Sequence, residues 1–265
     1  MSLTEFTKTR QDQNERLSQI SRACRDLLIS HPEYKYAREY ISGRLNETFQ
    51  ERYQIGYFPE DKDLGMLFKH VPIEVCMEAG LVYQRECLVR GNQSVTTSSI
   101  LNKHNLIIPF KDEYGEIISL VGRTLLNEED RKLQGLQKYK YTPVFRGLHL
   151  FGLHQAKPAI RRKNAAVIVE GQFDAISCQA RGIHNTIALG GTTLNKYHIY
   201  LIKKFASKLY LLLDNDQAGG IGTQKIINKF ADSIDIEVVN LPSEYKDIDK
   251  YLQERENYNE LNVLF

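Results

Sequence analysis

Apolar and polar positions follow two regimes along this chain of 265 residues. Leu17, Ile20, Ala23, Leu27 and Leu28 recur at helical spacing among charged residues and predict an amphipathic helix over residues 1 to about 30. Its apolar face either packs on the next domain or docks another protein. Tyr34–Ile41 and Asn46–Tyr53 predict short helices, the second capped by Asn46, before a turn at Gly56 and Pro59. Pro72–Ala79 predicts another, closed by Gly80. Gly91–Asn102 is polar, rich in Ser and Thr, and reads as a mobile loop. Leu106–Phe110 and Glu116–Leu125 predict a hairpin with Gly115 at a positive-φ position.

From Ala165 onward the period changes. Apolar runs at Val167–Val169, Thr186–Leu189, Leu209–Leu213 and Ile236–Val239 alternate with helical segments near Asp174–Arg181, Asn195–Ala206 and Gln217–Phe230. This alternation predicts a mostly parallel sheet with helices on its faces.

Composition narrows the class. With 42% hydrophobic residues the chain can bury one large core or two modest ones. No apolar run approaches the roughly 20 residues of a membrane helix, and the amino terminus lacks a signal-peptide pattern, so a cytoplasmic protein without membrane contact is expected. Cys24, Cys76, Cys87 and Cys178 are scattered, with no CxxC pair, and read as free, mostly buried thiols. The net charge of +2 is unevenly distributed: Arg131 to Val169 holds no Asp or Glu while Lys and Arg recur. Within that window Lys138-Tyr139-Lys140-Tyr141 and Phe145-Arg146 interleave cations with rings. That combination suits a path for phosphates and bases, and it equally describes an ordinary exposed strand. Arg123, near the end of a predicted strand, reads by itself as a solvated rim residue.

The acidic residues are placed more tellingly. Glu170 and Asp174 follow the first buried strand, Asp214 and Asp216 the third, and Asp247 and Asp249 the fourth. Strand ends of an open parallel sheet lie side by side, so these carboxylates meet in one crevice. Their repulsion calls for divalent cations, and hard oxygen ligands suit Mg²⁺ or Mn²⁺. Asp214-Asn-Asp-Gln-Ala-Gly opens like an EF-hand loop, but Lys225 stands where the bidentate Glu is required. Gly220-Ile-Gly222 is a fragment of a dinucleotide fingerprint, again spoiled by Lys225. GxxxxGK[ST], HExxH and GxSxG are all absent.

Glu-Gly-x-x-Asp, a Gly190-Gly191-Thr192 turn and Asp-x-Asp-x-x-Gly, each after a buried strand and in this order, resemble the TOPRIM domain of primases, topoisomerases, RecR-like proteins and certain nucleases. Upstream, LNETFQERYQIGYF, IIPFKDEYGEIISLVGRTL and KYKYTPVFRGLHLFGL resemble successive segments of the DnaG-type primase catalytic core. The likeness covers roughly residues 32 to 252. It implies an α/β protein: an α+β amino-terminal lobe, then a TOPRIM Rossmann-like parallel sheet with helices on both faces. Residues 1–31 would form an amino-terminal helix, 32–160 the basic lobe, 161–252 the TOPRIM domain and 253–265 a tail.

The resemblance further implies synthesis of short RNA primers on single-stranded DNA from NTPs, by two-metal nucleotidyl transfer. Glu170, Asp214 and Asp216 would be catalytic, Glu170 as general base or metal ligand. Metal would be held by these three with Asp174, Asp247 and Asp249, as two or more Mg²⁺ or Mn²⁺ ions. Arg123, Lys138, Tyr139, Lys140 and Arg146, with the Gly190-Gly191 turn, would contact nucleotide or template. The chain departs from the family in lacking Cys and His ligands for a zinc module, so no zinc is expected, and in leaving no room for a helicase-binding domain. It therefore reads as a minimal phage or mobile-element primase, with zinc module and replicative helicase on other chains, or as an excised core. Asn215 and Gln217 stand where Gly and Arg are common. The competing readings are a metal-dependent TOPRIM nuclease and a non-catalytic single-strand-binding module.

Overall fold

The computed structural model describes residues 3–89, 92–144, 146–191 and 193–254, and of residues 3–6, 87–89 and 92 the backbone alone. Phe145 and Thr192, both within motifs named above, and the tail from Arg255 onward lie outside the described residues. The chain divides into two units: Met1–Gly43, Gln50–Phe110 and Glu116–Val144 form the first, and Arg44–Phe49, Lys111–Gly115 and Phe145–Phe265 the second.

The first unit is organised around helix α1 (Leu3–Ser30). Leu17, Ile20, Ala23, Cys24 and Leu27 enter one buried cluster with Phe58, Leu64, Leu67, Ile107 and Leu120. Burying each large side chain contributes about 1.5–3 kcal/mol, which is ample reason for the apolar stripe. The stripe thus belongs to the core of its own unit. Helix α2 (Lys35–Ser42) follows; α3 (Glu47–Arg52) starts in the Arg44–Phe49 stretch of the second unit, where the Asn46 side chain accepts the Phe49 N–H at 3.0 Å as its cap, and ends in the first. Strand β1 (Gly56–Tyr57), α4 (Leu64–Leu67) and α5 (Ile73–Glu78) come next, the last closed by Gly80 at φ +73°.

The next segment corrects an expectation. Gly91–Asn102 is not a loop in its main part: β2 (Val82–Val89) pairs antiparallel with β3 (Asn92–Ser99) from Val82↔Ser99 to Val89↔Asn92. The ribbon exposes Gln84, Arg85, Glu86, Gln93, Val95 and Thr96. Backbone pairing holds it together, and no buried face imposes an apolar alternation on the sequence.

Strands β4 (Leu106–Lys111) and β5 (Ile117–Arg123) are the predicted hairpin, with Gly115 at φ +101°. After α6 (Glu128–Leu133), β6 (Tyr139–Tyr141) pairs antiparallel with β5, completing a sheet of order β1-β4-β5-β6.

The second unit contains α7 (Leu153–Lys163), β7 (Ala165–Val169), α8 (Gln172–Ala180), β8 (Thr186–Ala188) and α9 (Lys196–Lys203). It continues with β9 (Lys208–Leu211), α10 (Gln217–Phe230), β10 (Asp235–Val238) and α11 (Ile248–Glu254). The sheet order is β10-β9-β7-β8 and every pairing is parallel. All of β7 is buried, as a central strand covered on both faces must be. Ala166, Ile168, Ile187, Leu209 and Leu211 point into one cluster with residues of α7, α9 and α10. Alternate side chains turn to the opposite face, where α8 meets β7 and β8 and α11 meets α8. Cys24, Cys76 and Cys178 are buried free thiols. No helix among the described residues is long and apolar enough to cross a membrane.

Candidate metal centre

Because β7 and β9 are neighbours in register, with Ile168 opposite Leu211, the turns at their carboxyl ends are adjacent. Glu170 follows β7 directly, and its Oε1 accepts a hydrogen bond from the Asp214 N–H at 3.2 Å. Burial pushes the Glu170 carboxyl up, the Asp214 N–H opposes this, Asp216 adds to it and Lys246 opposes it. Asp214 is displaced further, to about 8, first by burial and then by Asp174, Glu170, Asp247 and Asp216. Five of the six acids named from sequence are thus Asp214 itself and the four whose charges act on it.

Backbone capping places three of them. Asp174, in the first turn of α8, accepts the Gly171 N–H at 2.7 Å. Asp216 caps α10 by accepting the Gly219 N–H at 3.0 Å, and Asp247 accepts the Lys250 N–H at 2.8 Å at the start of α11. Acidic caps suit helix amino termini, so one side chain can serve the helix and the crevice. Gly219 explains itself here: a Cβ would stand 2.0 Å from the Asp214 carbonyl oxygen.

Asp249 is placed differently. It is buried, accepts the Ser177 hydroxyl, and lies 3.6 Å from Arg44 Nε, so its charge is engaged within the α8–α11 contact. Lys246 is a member that sequence reasoning passed over: its Nζ is 3.8 Å from Asp216 Oδ2. Its position immediately before Asp247 was the available signal.

Gly190 and Gly191 both adopt positive φ, at +64° and +77°. The Gly190 N–H donates to the Glu170 carbonyl at 2.9 Å, and Arg146 Nη1 donates to the Gly190 carbonyl at 2.8 Å. Arg146 therefore secures the turn that frames Glu170. A cavity of about 470 Å³ opens beside Glu170, walled by Gly191, Leu194, Leu213, Lys225 and Phe230.

The remaining candidates lie in the first unit. Arg123 is not a solvated rim residue: it is 8% exposed, donates to Tyr139 Oη at 3.1 Å, and lies 5.3 Å from the Tyr40 ring centroid and 5.5 Å from that of Tyr139. The guanidinium is held among rings, which a β-strand edge with alternating Lys and Tyr made possible. Lys138, just before the edge strand β6, and Lys140 within it are exposed on either side of Tyr139.

The donor set of the second unit fits a hard divalent cation: Glu170, Asp174, Asp214, Asp216 and Asp247 offer only carboxylate oxygens. Among the described residues no three His, Cys, Asp or Glu side chains stand close enough to chelate one ion. The acids face one another at electrostatic range. Asp216 is exposed and Asp247 half-buried, so both have room to turn inward.

An antiparallel-sheet lobe preceding a parallel sheet whose strand ends carry facing carboxylates defines a class of two-unit TOPRIM proteins. Comparison with known proteins makes the assignment specific. The family described as the DNA primase catalytic core, N-terminal domain, matches residues 25–157, and a Toprim-like family matches residues 167–252. The chain belongs to the DnaG-type primase core family.

Among similar proteins, the DNA primase of Synechococcus elongatus is 32% identical over 251 residues, spanning 88% of this chain and 34% of that protein. The DNA primase of Aquifex aeolicus is 30% identical, spanning 89% of this chain and 46% of the relative. The chain thus spans less than half the length of these two relatives. The crystal structure of the zinc-binding and RNA polymerase domains of the Aquifex aeolicus primase superposes with a TM-score of 0.78 at 25% identity, covering 97% of this chain and 60% of that one. A structure of the DnaG primase catalytic domain bound to ssDNA, at 22% identity and TM-score 0.75, covers 97% of this chain and 81% of that one and shares the fold.

Proposed function

We propose that this chain performs the nucleotidyl transfer of a DNA primase in DNA replication, building short RNA on a single-stranded DNA template in the cytoplasm. The observation that carries this reading is the gathering of carboxylates at adjacent strand ends: Glu170 accepts the Asp214 N–H, and burial with the charges of Asp174, Glu170, Asp247 and Asp216 raises Asp214 to about 8. Glu170, Asp214, Asp216 and Asp247, supported by Asp174, would hold Mg²⁺ or Mn²⁺; Asp249, paired with Arg44, would steady α11 behind them. Such ions supply activation of a 3′-hydroxyl and stabilisation of leaving pyrophosphate when bound.

The chain's own residues complete the task. Where Glu170 does not ligate the cation, its carboxylate, half-buried and held by the Asp214 N–H, is the base that receives the proton of the attacking hydroxyl. Lys246 limits the excess negative charge and offers a cation to pyrophosphate. Lys138 and Lys140 neutralise phosphates while Tyr139 presents a ring for stacking, and Arg123 fixes that ring. The Arg146-braced turn presents exposed Gly191 to close approach by nucleotide. A zinc-binding module and a replicative helicase would be supplied by other segments or chains.

The test follows labelled NTPs and, in parallel, labelled single-stranded DNA, with Mg²⁺ or Mn²⁺. Incorporation into short products supports priming. Loss of DNA without nucleotide incorporation, abolished by Glu170→Gln, would replace it with the nuclease reading; salt-sensitive DNA binding with neither activity would leave the binding module.

A further inference from the structure

Asn215 stands between Asp214 and Asp216, and its bonds run away from the acids. Its backbone N–H donates to the Lys246 carbonyl at 2.6 Å. Its Nδ2 faces three more carbonyls, those of Pro242 and Tyr245 at 3.3 Å and of Leu241 at 3.4 Å. Two amide hydrogens divided among three acceptors at these lengths make weak individual bonds, but together they hold a whole segment of backbone. That segment, Leu241–Lys246, leads directly into Asp247. It also carries Lys246, whose Nζ reaches Asp216 and whose charge opposes the displacement of Glu170. Both a cation and a carboxylate thus arrive at the cluster on one loop, and Asn215 joins that loop to the Asp214–Asp216 turn.

We propose that Asn215 is a positioning residue that docks the 241–246 segment on this turn, sets Lys246 and Asp247 relative to the other acids, and thereby tunes affinity for the divalent cation. The inference deepens the carboxylate-cation reading of the site and rests on it. The residue type is informative. Gly would keep the backbone bond to Lys246 and lose the amide; Asp would set two acceptors against three carbonyl oxygens; Asn supplies donors at the required reach without adding charge. Its partners lie 26 to 31 positions away, so the bonds tie two separate strand-end turns together.

The experiment compares the full chain with Asn215→Ala and Asn215→Ser. Mn²⁺ binding is read by calorimetry and by loss of the free-ion spin-resonance signal, and amide exchange is followed by mass spectrometry. Asn215→Ala is expected to bind Mn²⁺ about tenfold more weakly, as for loss of other groups that orient metal ligands. Exchange should rise across 241–247 and stay at the parent level in β7 and β9. Asn215→Ser, which keeps a shorter donor, should fall between parent and Ala on both measures. Affinity within twofold of the parent, or exchange that rises equally in β7 and β9, overturns the positioning role. A parent chain that binds no Mn²⁺ at all overturns the cation reading itself, and is distinguished from failure of this inference by the parent measurement alone.

Discussion

The Glu170 carboxylate accepts the backbone N–H of Asp214 at 3.2 Å, so the acid that ends one parallel strand is fastened to the turn that ends its neighbour. The bond holds Glu170 Oε1 against the backbone of the Asp214 turn and opposes the upward displacement of the Glu170 carboxyl.

Replacing Glu170 by Gln retains an acceptor for the Asp214 N–H and removes both the charge and the base. Nucleotide incorporation should fall by about 10²–10⁴-fold, the usual worth of a general base. Thermal stability should hold or rise, because a half-buried charge among like charges is gone. Incorporation within threefold of the parent would remove Glu170 from the reaction.

Asp214 links the site to pH. Its folded value of about 8 lies above the ordinary 3.8, so between those limits the folded chain binds more protons than the unfolded one. The contribution of Asp214 to the stability of the cation-free protein is therefore fully present below about pH 4 and is lost as pH rises toward 8. With partial solvent screening the loss is on the order of 1–2 kcal/mol. Urea titrations at pH 5 and pH 8 should show it, Asp214→Asn should flatten it, and Mg²⁺ should stabilise more at pH 8 than at pH 5. An identical pH response in Asp214→Asn would contradict the account.

Arg123 joins stability and binding in the first unit. Arg123→Ala should lower unfolding free energy by about 1–2 kcal/mol through lost stacking on Tyr40 and Tyr139 and the lost bond to Tyr139 Oη. Arg123→Lys should recover little of it, since an ammonium cannot reproduce the planar contact. Template affinity, measured by fluorescence anisotropy, should drop in both variants as Tyr139 loses its brace.

Arg146→Ala removes the donor to the Gly190 carbonyl. Amide exchange at Gly190 and Gly191 should quicken and KM for NTP should rise several-fold with a smaller change in kcat. An unaltered KM would confine Arg146 to a purely structural bond.

Much of this was visible in the residues alone, for physical reasons. The run AAVIV announces a strand buried on both faces, and Leu17 through Leu28 announces a helix that buries one stripe, because burial leaves a period in the sequence. The acids were legible because each pair follows an apolar run of the parallel sheet, although only β7 is buried throughout and β10 is largely exposed. The β2–β3 ribbon was not, since hydrogen bonds between two exposed strands leave no apolar period. Helix α7 was missed although Leu153, Ala156 and Ile160 keep helical spacing; internal Pro158 and the run Arg161-Arg162-Lys163 disguise it. Nor does any local pattern reveal the Asn215 bonds or the Arg44–Asp249 pair, which join residues remote in sequence.

The most direct measurement is primer synthesis by the purified chain on mixed-sequence single-stranded DNA with labelled NTPs and Mg²⁺ or Mn²⁺, beside Asp214→Ala. The account predicts short labelled products from the parent, none without the cation, and none from a folded Asp214→Ala. Equal synthesis by parent and variant, or none by the parent with a zinc-module protein and replicative helicase also supplied, would contradict it.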